Sequence, residues 1–182
     1  KYSIRIINKH LKRAAQQNDV INRDPLTKAY NRNYLKVVQE RIKTTRKDYY
    51  FAIVDIDHFK SINDTFGHEV GDKALRFLSG LLQQQLRSSD YVFRFGGEEF
   101  ILLIDIETAE KALKIMDRLK TMLEASTIDA GINKFSMTFS AGLTKVDDGD
   151  IEQALMIADE LLYEAKRTGR NKIVMRNSLK VA

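Results

Sequence analysis

The chain has 182 residues, 43% of them hydrophobic and 30% charged, with a net charge of +5 and neither cysteine nor tryptophan. That length and balance suit one globular domain with a short appended segment, and the missing cysteine excludes disulfides and thiolate metal sites, as a reducing cytoplasm would favour. The longest apolar runs, 49–54 and 100–104, are too short to cross a bilayer, and a charge of +5 mildly favours anionic partners without calling for nucleic acid.

From the N-terminus, Ile4, Ile7, Leu11, Ala14, Asn18 and Ile21 alternate by three and four residues. This heptad seam predicts a helix over 1–23, which either lies on its own domain or joins two protomers as a coiled-coil stalk. No signal peptide is visible and the chain opens on Lys1, so a fragment of a longer, cytoplasmic or membrane-anchored parent is expected. Asp24-Pro25 breaks the helix, because proline disfavours the α region in the residue before it. The main domain is expected over 24–177, with 178–182 as a tail.

Within the domain a helix is predicted over 34–43. Residues 49–57 form a strand with almost no polar face, hence buried on both sides. A short helix follows and stops near Gly67, and a longer one over 72–86 carries Ala74, Leu75, Leu78, Leu81 and Leu82 on one stripe. Residues 91–95 and 100–104 read as strands of a hairpin, since the Gly96-Gly97 pair between them reaches positive φ freely. A helix over 108–124, a strand over 135–143, a helix from an Asp150 cap to Lys166, and a strand over 172–175 complete the order. This βαββαβ core, of ferredoxin-like or palm type, predicts an α+β fold: a mostly antiparallel central sheet flanked by helices, plus the N-terminal helix.

Two places carry chemistry that the fold does not need. Glu98 and Glu99 follow the glycine turn directly, although adjacent carboxylates are disfavoured in strands and repel each other. Asp55 and Asp57 end a buried strand at alternate positions, so both point the same way. A lone aspartate there serves well as a cap, but Asp55 with Glu98 on the adjoining strand offers two hard oxygen ligands of the kind Mg²⁺ takes. Asp72 reads either as an N-cap or as a base reader, since a carboxylate accepts from both N1–H and N2–H₂ of guanine, whereas adenine presents an acceptor at N1. Lys166 and Arg170 at a helix end either complement its dipole or contact phosphates.

Together these residues resemble the GGDEF family of diguanylate cyclases. The resemblance covers Asp24 to about Val174, with its pieces in family order: DPLT at 24–27, Asn31-Arg32, DIDHFK at 55–60, IND at 62–64, Gly67-His68, Gly71-Asp72, GGEEF at 96–100, Ala158-Asp159 and YEAKRTGRN at 163–171. GGEEF departs from GGDEF but keeps the carboxylate; Lys28 stands where glycine is usual, outside the chemistry.

The resemblance implies metal ligation by Asp55, Glu98 and the carbonyl of Ile56, with Mg²⁺ as the ion and Mn²⁺ as its substitute. It implies guanine reading by Asn63 and Asp72, and triphosphate contacts from Lys60, Lys166, Arg170 and the amides of His58 and Phe59. Gly97 lets substrate approach the backbone, and Glu99 matches a second acidic position credited with metal binding or with deprotonating the attacking hydroxyl. The implied reaction condenses two GTP into cyclic di-GMP and two pyrophosphates at the face of a homodimer, each protomer holding one GTP. Arg87 and Asp90, five residues and more ahead of Gly96, match the family's RxxD product-inhibition site, and Arg118 matches a second inhibitory arginine. Two alternatives stay open: a catalytically silent domain that binds nucleotide or dimerises, and an enzyme making hybrid cyclic dinucleotides.

Overall fold

The computed structural model describes residues 20–45 and 47–176. Most of the predicted stalk helix and the whole predicted tail lie outside the described residues. Among the described residues the order is β1 (Tyr30–Asn31), α1 (Arg32–Lys43), β2 (Tyr49–Ile56), α2 (Phe59–Phe66), α3 (His68–Gln85), β3 (Tyr91–Gly96), β4 (Glu99–Asp105), α4 (Ala109–Glu124), β5 (Ile128–Ala130), β6 (Asn133–Phe135), β7 (Phe139–Val146), α5 (Ile151–Arg167) and β8 (Ile173–Arg176). Six strands form one sheet in the order β1-β3-β4-β2-β7-β8, while β5 and β6 pair as a separate hairpin. The inner pairs β3–β4, β4–β2 and β2–β7 are antiparallel and the outer pairs β1–β3 and β7–β8 are parallel, as the expected α+β class requires.

Every residue of β2 is buried, because helices cover both faces of the sheet. Its side chains alternate between two cores. Tyr50, Ala52, Val54 and Ile56 join α3 and α4 on one face. Tyr49, Phe51 and Ile53 join Leu35, Val38 and Ile42 of α1 and Ala154, Ala158 and Leu162 of α5 on the other. The same alternation carries Asp55 onto the α5 face. A row of aligned residues forms there, since Asp55 pairs in register with Glu99 of β4 and with Ser140 of β7. Helix α5 can lie close against that row only because position 142 is glycine: a Cβ there would come within 2.0 Å of the Ala158 carbonyl oxygen and 2.7 Å of the Leu162 nitrogen.

Caps place the helices. Asn31 accepts from the Tyr34 amide at 3.1 Å and starts α1 two residues earlier than its apolar spacing predicts. Asp150 caps α5 as expected, accepting from Gln153 N at 2.9 Å. Three expectations need correction. Helix α3 begins at His68, directly after Gly67 with its φ of 87°, so Asp72 lies inside the helix and is not its N-cap. The expected strand over 135–143 is split, with β6 ending at Phe135 and β7 beginning at Phe139. Strands β1 and β5 were not expected; they have two and three residues, too short for a period-two pattern to be legible.

Candidate active site

Asp55 is buried at the end of β2, with Lys166 Nζ 2.8 Å from its Oδ2. Removal from water pushes its pKa up to about 6; the hydrogen bond and charge of Lys166 oppose that rise, while Glu98 and Glu99 add to it. Burial also raises Glu99, opposed by Lys166 and reinforced by the charges of Asp159 and Glu98. Asp55 pairs with Lys166, Glu99 feels the same ammonium charge, and Glu98 adds its negative charge to both carboxylates, an excess of negative charge that calls for a further cation. Among the described residues no group of three or more His, Cys, Asp or Glu side chains is set to enclose a metal alone. The donors that are present, Asp55 and Glu98 with the Ile56 carbonyl, are hard oxygens suited to Mg²⁺, which keeps waters and takes phosphate oxygens as its other ligands. The residues fit such an ion.

The turn that carries Glu98 is braced from outside the hairpin. Gly97 has a φ of 46° and needs no Cβ clearance. Its carbonyl accepts from Arg94 Nε at 3.1 Å and Nη2 at 2.9 Å. The third nitrogen of that guanidinium donates to both oxygens of Asp24, at 3.1 and 3.3 Å. Asp24 also accepts from the amide and hydroxyl of Thr27, each at 2.8 Å. Burial alone would raise the Asp24 carboxyl, but the bonds from Thr27 and Arg94 outweigh it and hold it below the usual carboxylate range. The DPLT segment is thereby tied to the glycine turn, a function that sequence reasoning missed. Arg94 reads only as an alternating strand residue, and its partner lies 70 positions away.

Next to the carboxylates, His58 takes a left-handed φ of 55° and turns the chain from β2 straight into α2. The amides of His58, which precedes α2, and of Phe59, its first residue, have no partner within the helix and suit an anion, with Lys60 exposed on the same turn. At the other end of α2, Asn63 lies against the backbone of α3. A Cβ on Gly71 would be 1.9 Å from Asn63 Oδ1, so the bare glycine makes room for the carboxamide. Asp72 follows Gly71 and is half exposed, with Arg76 a loose partner at 4.0 Å. Asn63 on α2 is thus set against the turn of α3 that carries Asp72.

Arg170 follows the end of α5, with its amide donating to the Ala165 carbonyl at 3.0 Å. Arg87, Asp90 and Arg118 are grouped elsewhere, lining a cleft of about 140 Å³ with Gln85, Leu86 and Asp105. Asp90 accepts from the amides of Arg87 at 2.8 Å and Asp105 at 2.9 Å, and Arg118 donates to the Gln85 carbonyl at 2.9 Å. Asp105 is held in turn by Lys47. This cleft is at the opposite end of β3 from the glycine turn, about 20 Å away at the rise of a strand.

Comparison with known proteins shows the family. Residues 21–172 match the model of a family described as diguanylate cyclase, GGDEF domain. The chain is 37% identical over 166 residues to the probable diguanylate cyclase DgcT of Escherichia coli, covering 87% of this chain and 36% of that protein. It is 39% identical over 155 residues to the diguanylate cyclase DgcP of Pseudomonas aeruginosa, covering 82% of this chain and 23% of that one. The chain therefore spans about a quarter to a third of the length of these relatives. Among solved structures, the coiled coil and GGDEF domain of DgcB from Caulobacter crescentus, determined in complex with cyclic di-GMP, superposes with a TM-score of 0.83. At 24% identity, over 96% of this chain and 95% of that one, that likeness speaks to the fold. Among the described residues no helix is long and apolar enough to cross a membrane.

Proposed function

This chain belongs to the GGDEF family of diguanylate cyclases, and on that premise we propose that it joins two GTP molecules into cyclic di-GMP with release of two pyrophosphates. The observation that carries the reading is the grouping of Asp55, Glu98 and Glu99, with Lys166 paired to Asp55, beside the amides that open α2. Such a group of acids, short of positive charge, next to an anion-binding helix start suits a metal-bound polyphosphate.

Asn63 and Asp72 select guanine by accepting from its N1–H and N2–H₂ donors. Lys60, Lys166, Arg170 and the amides of His58 and Phe59 hold the triphosphate, and Gly97 leaves the backbone open to the nucleotide. Mg²⁺, or Mn²⁺ in its place, would be held by Asp55, Glu98 and the Ile56 carbonyl, and when bound it offsets phosphate charge and lowers the pKa of the attacking hydroxyl. The 3′-oxygen of one GTP attacks the α-phosphorus of the other, the bond from that phosphorus to pyrophosphate breaks, and the step repeats in the opposite sense. Glu99, more basic than a free glutamate, is suited to accept the hydroxyl proton and pass it to solvent. One chain holds one GTP, so two protomers must meet face to face. Arg87, Asp90 and Arg118 bind the product and restrain the enzyme. The lack of cysteine and the use of GTP fit a cytoplasmic setting.

Incubation of the pure chain with Mg²⁺ and GTP, then with GTP plus ATP, with products identified by mass, tests the reading. Cyclic di-GMP alone is expected from both. Hybrid dinucleotides would overturn the assigned base selectivity, and GTP binding without any dinucleotide at high protein concentration would favour a silent binding domain.

A further inference from the structure

Asp57 follows the last residue of β2, two positions after Asp55, and from its place in the sequence invites assignment as a second metal ligand, yet its oxygens are already taken. Oδ1 accepts from Ser140 Oγ at 2.6 Å. Oδ2 accepts from Thr138 Oγ1 at 2.7 Å and from the Asn171 backbone amide at 3.0 Å. The residue is 5% exposed, so a carboxylate here is tolerable only because those donors replace its water.

The third donor is the informative one. Gly169, Arg170 and Asn171 take φ values of 118°, 61° and 46° in succession, two of them non-glycine residues in the left-handed region. Such a run is strained at each non-glycine residue and persists only where the surroundings over-determine it. Asn171 is where that determination occurs: its amide is held by Asp57, its Nδ2 donates to Glu124 Oε1 at 3.0 Å, and its Oδ1 accepts from Lys120 Nζ at 3.5 Å. Arg170 is fixed between that anchor and its own bond to Ala165. On the other side, Asp57 immediately precedes the left-handed His58 that opens α2. One buried carboxylate therefore joins the two chain segments from which phosphate contacts come.

We infer that Asp57 is a positioning residue: it aims Arg170 at the nucleotide's phosphates by holding the loop after α5, and it does not ligate metal. The inference rests on the proposed GTP site. A ligand role and a positioning role respond oppositely to the conservative change Asp57→Asn. The carboxamide oxygen of that variant can still accept the Asn171 amide while its NH₂ donates to Ser140, whose hydroxyl can reverse; a metal ligand loses its charge outright.

The test measures equilibrium binding of GTP and of GMP, and Mn²⁺ binding by paramagnetic resonance with GTP present, in Asp57→Asn, Asp57→Ala, Asp55→Asn and Arg170→Ala. Asp57→Asn is expected to stay within about threefold of the parent in all three, while Asp55→Asn loses Mn²⁺. Asp57→Ala is expected to weaken GTP about tenfold but GMP less than about twofold, with no added loss in the Arg170→Ala background. Loss of Mn²⁺ by a folded Asp57→Asn, or additive losses in the double variant, would overturn the inference. If Asp57→Ala fails to fold, the two asparagine variants decide alone. A parent chain that binds GTP but makes no dinucleotide would count against the proposed reaction and leave this binding test intact.

Discussion

Asp55 is held by opposing forces that make its charge sensitive to pH. In the metal-free protein it keeps its proton up to about pH 6, whereas an unconstrained aspartate loses it near 3.8. Below that lower value both folded and unfolded chains are protonated there. Between the two values the folded chain holds the extra proton, so stability from this residue declines as pH rises from about 4 to 6 and stays low above it. The change is on the order of 3 kcal/mol, one pKa unit being worth about 1.4. The thermal midpoint of Asp55→Asn, compared with the parent without metal, is expected to gain on it across that window; a constant difference would contradict the burial that raises Asp55. Most residues of the proposed site were legible because they lie in contiguous motifs: Asp55, Glu98, Asn63, Asp72 and Lys166 each stand in a recognisable string. Asp57, Arg94 and Asn171 were in or beside those strings too, but their roles were not, since a hydrogen bond across 70 to 114 positions leaves no local spacing.

At the scale of elements, β2 does most to position the site. Its period of two sends apolar residues to both cores and delivers Asp55 to the face that α5 covers. Lys166 reaches that carboxylate only if α5 stays seated on Gly142. In Gly142→Ala the new Cβ would meet the backbone of α5, which cannot turn aside as a side chain could. The unfolding free energy is expected to fall by roughly 3 kcal/mol, at the upper end of ordinary overpacking costs, with loss of GTP binding as Lys166 withdraws. Denaturant titration checks the first and nucleotide titration the second; an unchanged midpoint would mean that the helix is not held there. The long elements were readable from periodicity and caps, as α4 and α5 illustrate. The start of α3 was misread because Gly71-Asp72 resembles a helix opening, when glycine is there to admit Asn63. The β5–β6 hairpin was missed because only Ile128 among its residues is buried, leaving little alternation to detect.

For the whole molecule, the cleft of Arg87, Asp90 and Arg118 and the carboxylate group stand at opposite ends of β3, so product bound in the cleft, as proposed, would leave the carboxylates open. Arg87→Ala is accordingly expected to leave the initial rate within about twofold and to raise the cyclic di-GMP concentration needed for half inhibition at least tenfold, because a bidentate charged contact is lost. Inhibition unchanged in that variant would mean that the cleft is not where product acts.

The proposed reaction depends throughout on one chain supplying half a site. Turnover of GTP measured alongside molecular mass by light scattering, over a dilution series with saturating Mg²⁺ and GTP, tests that dependence most directly. Cyclic di-GMP formation per chain is expected to follow the dimer fraction and to vanish as the protein becomes monomeric. Full turnover per chain in a solution shown to be monomeric would contradict it.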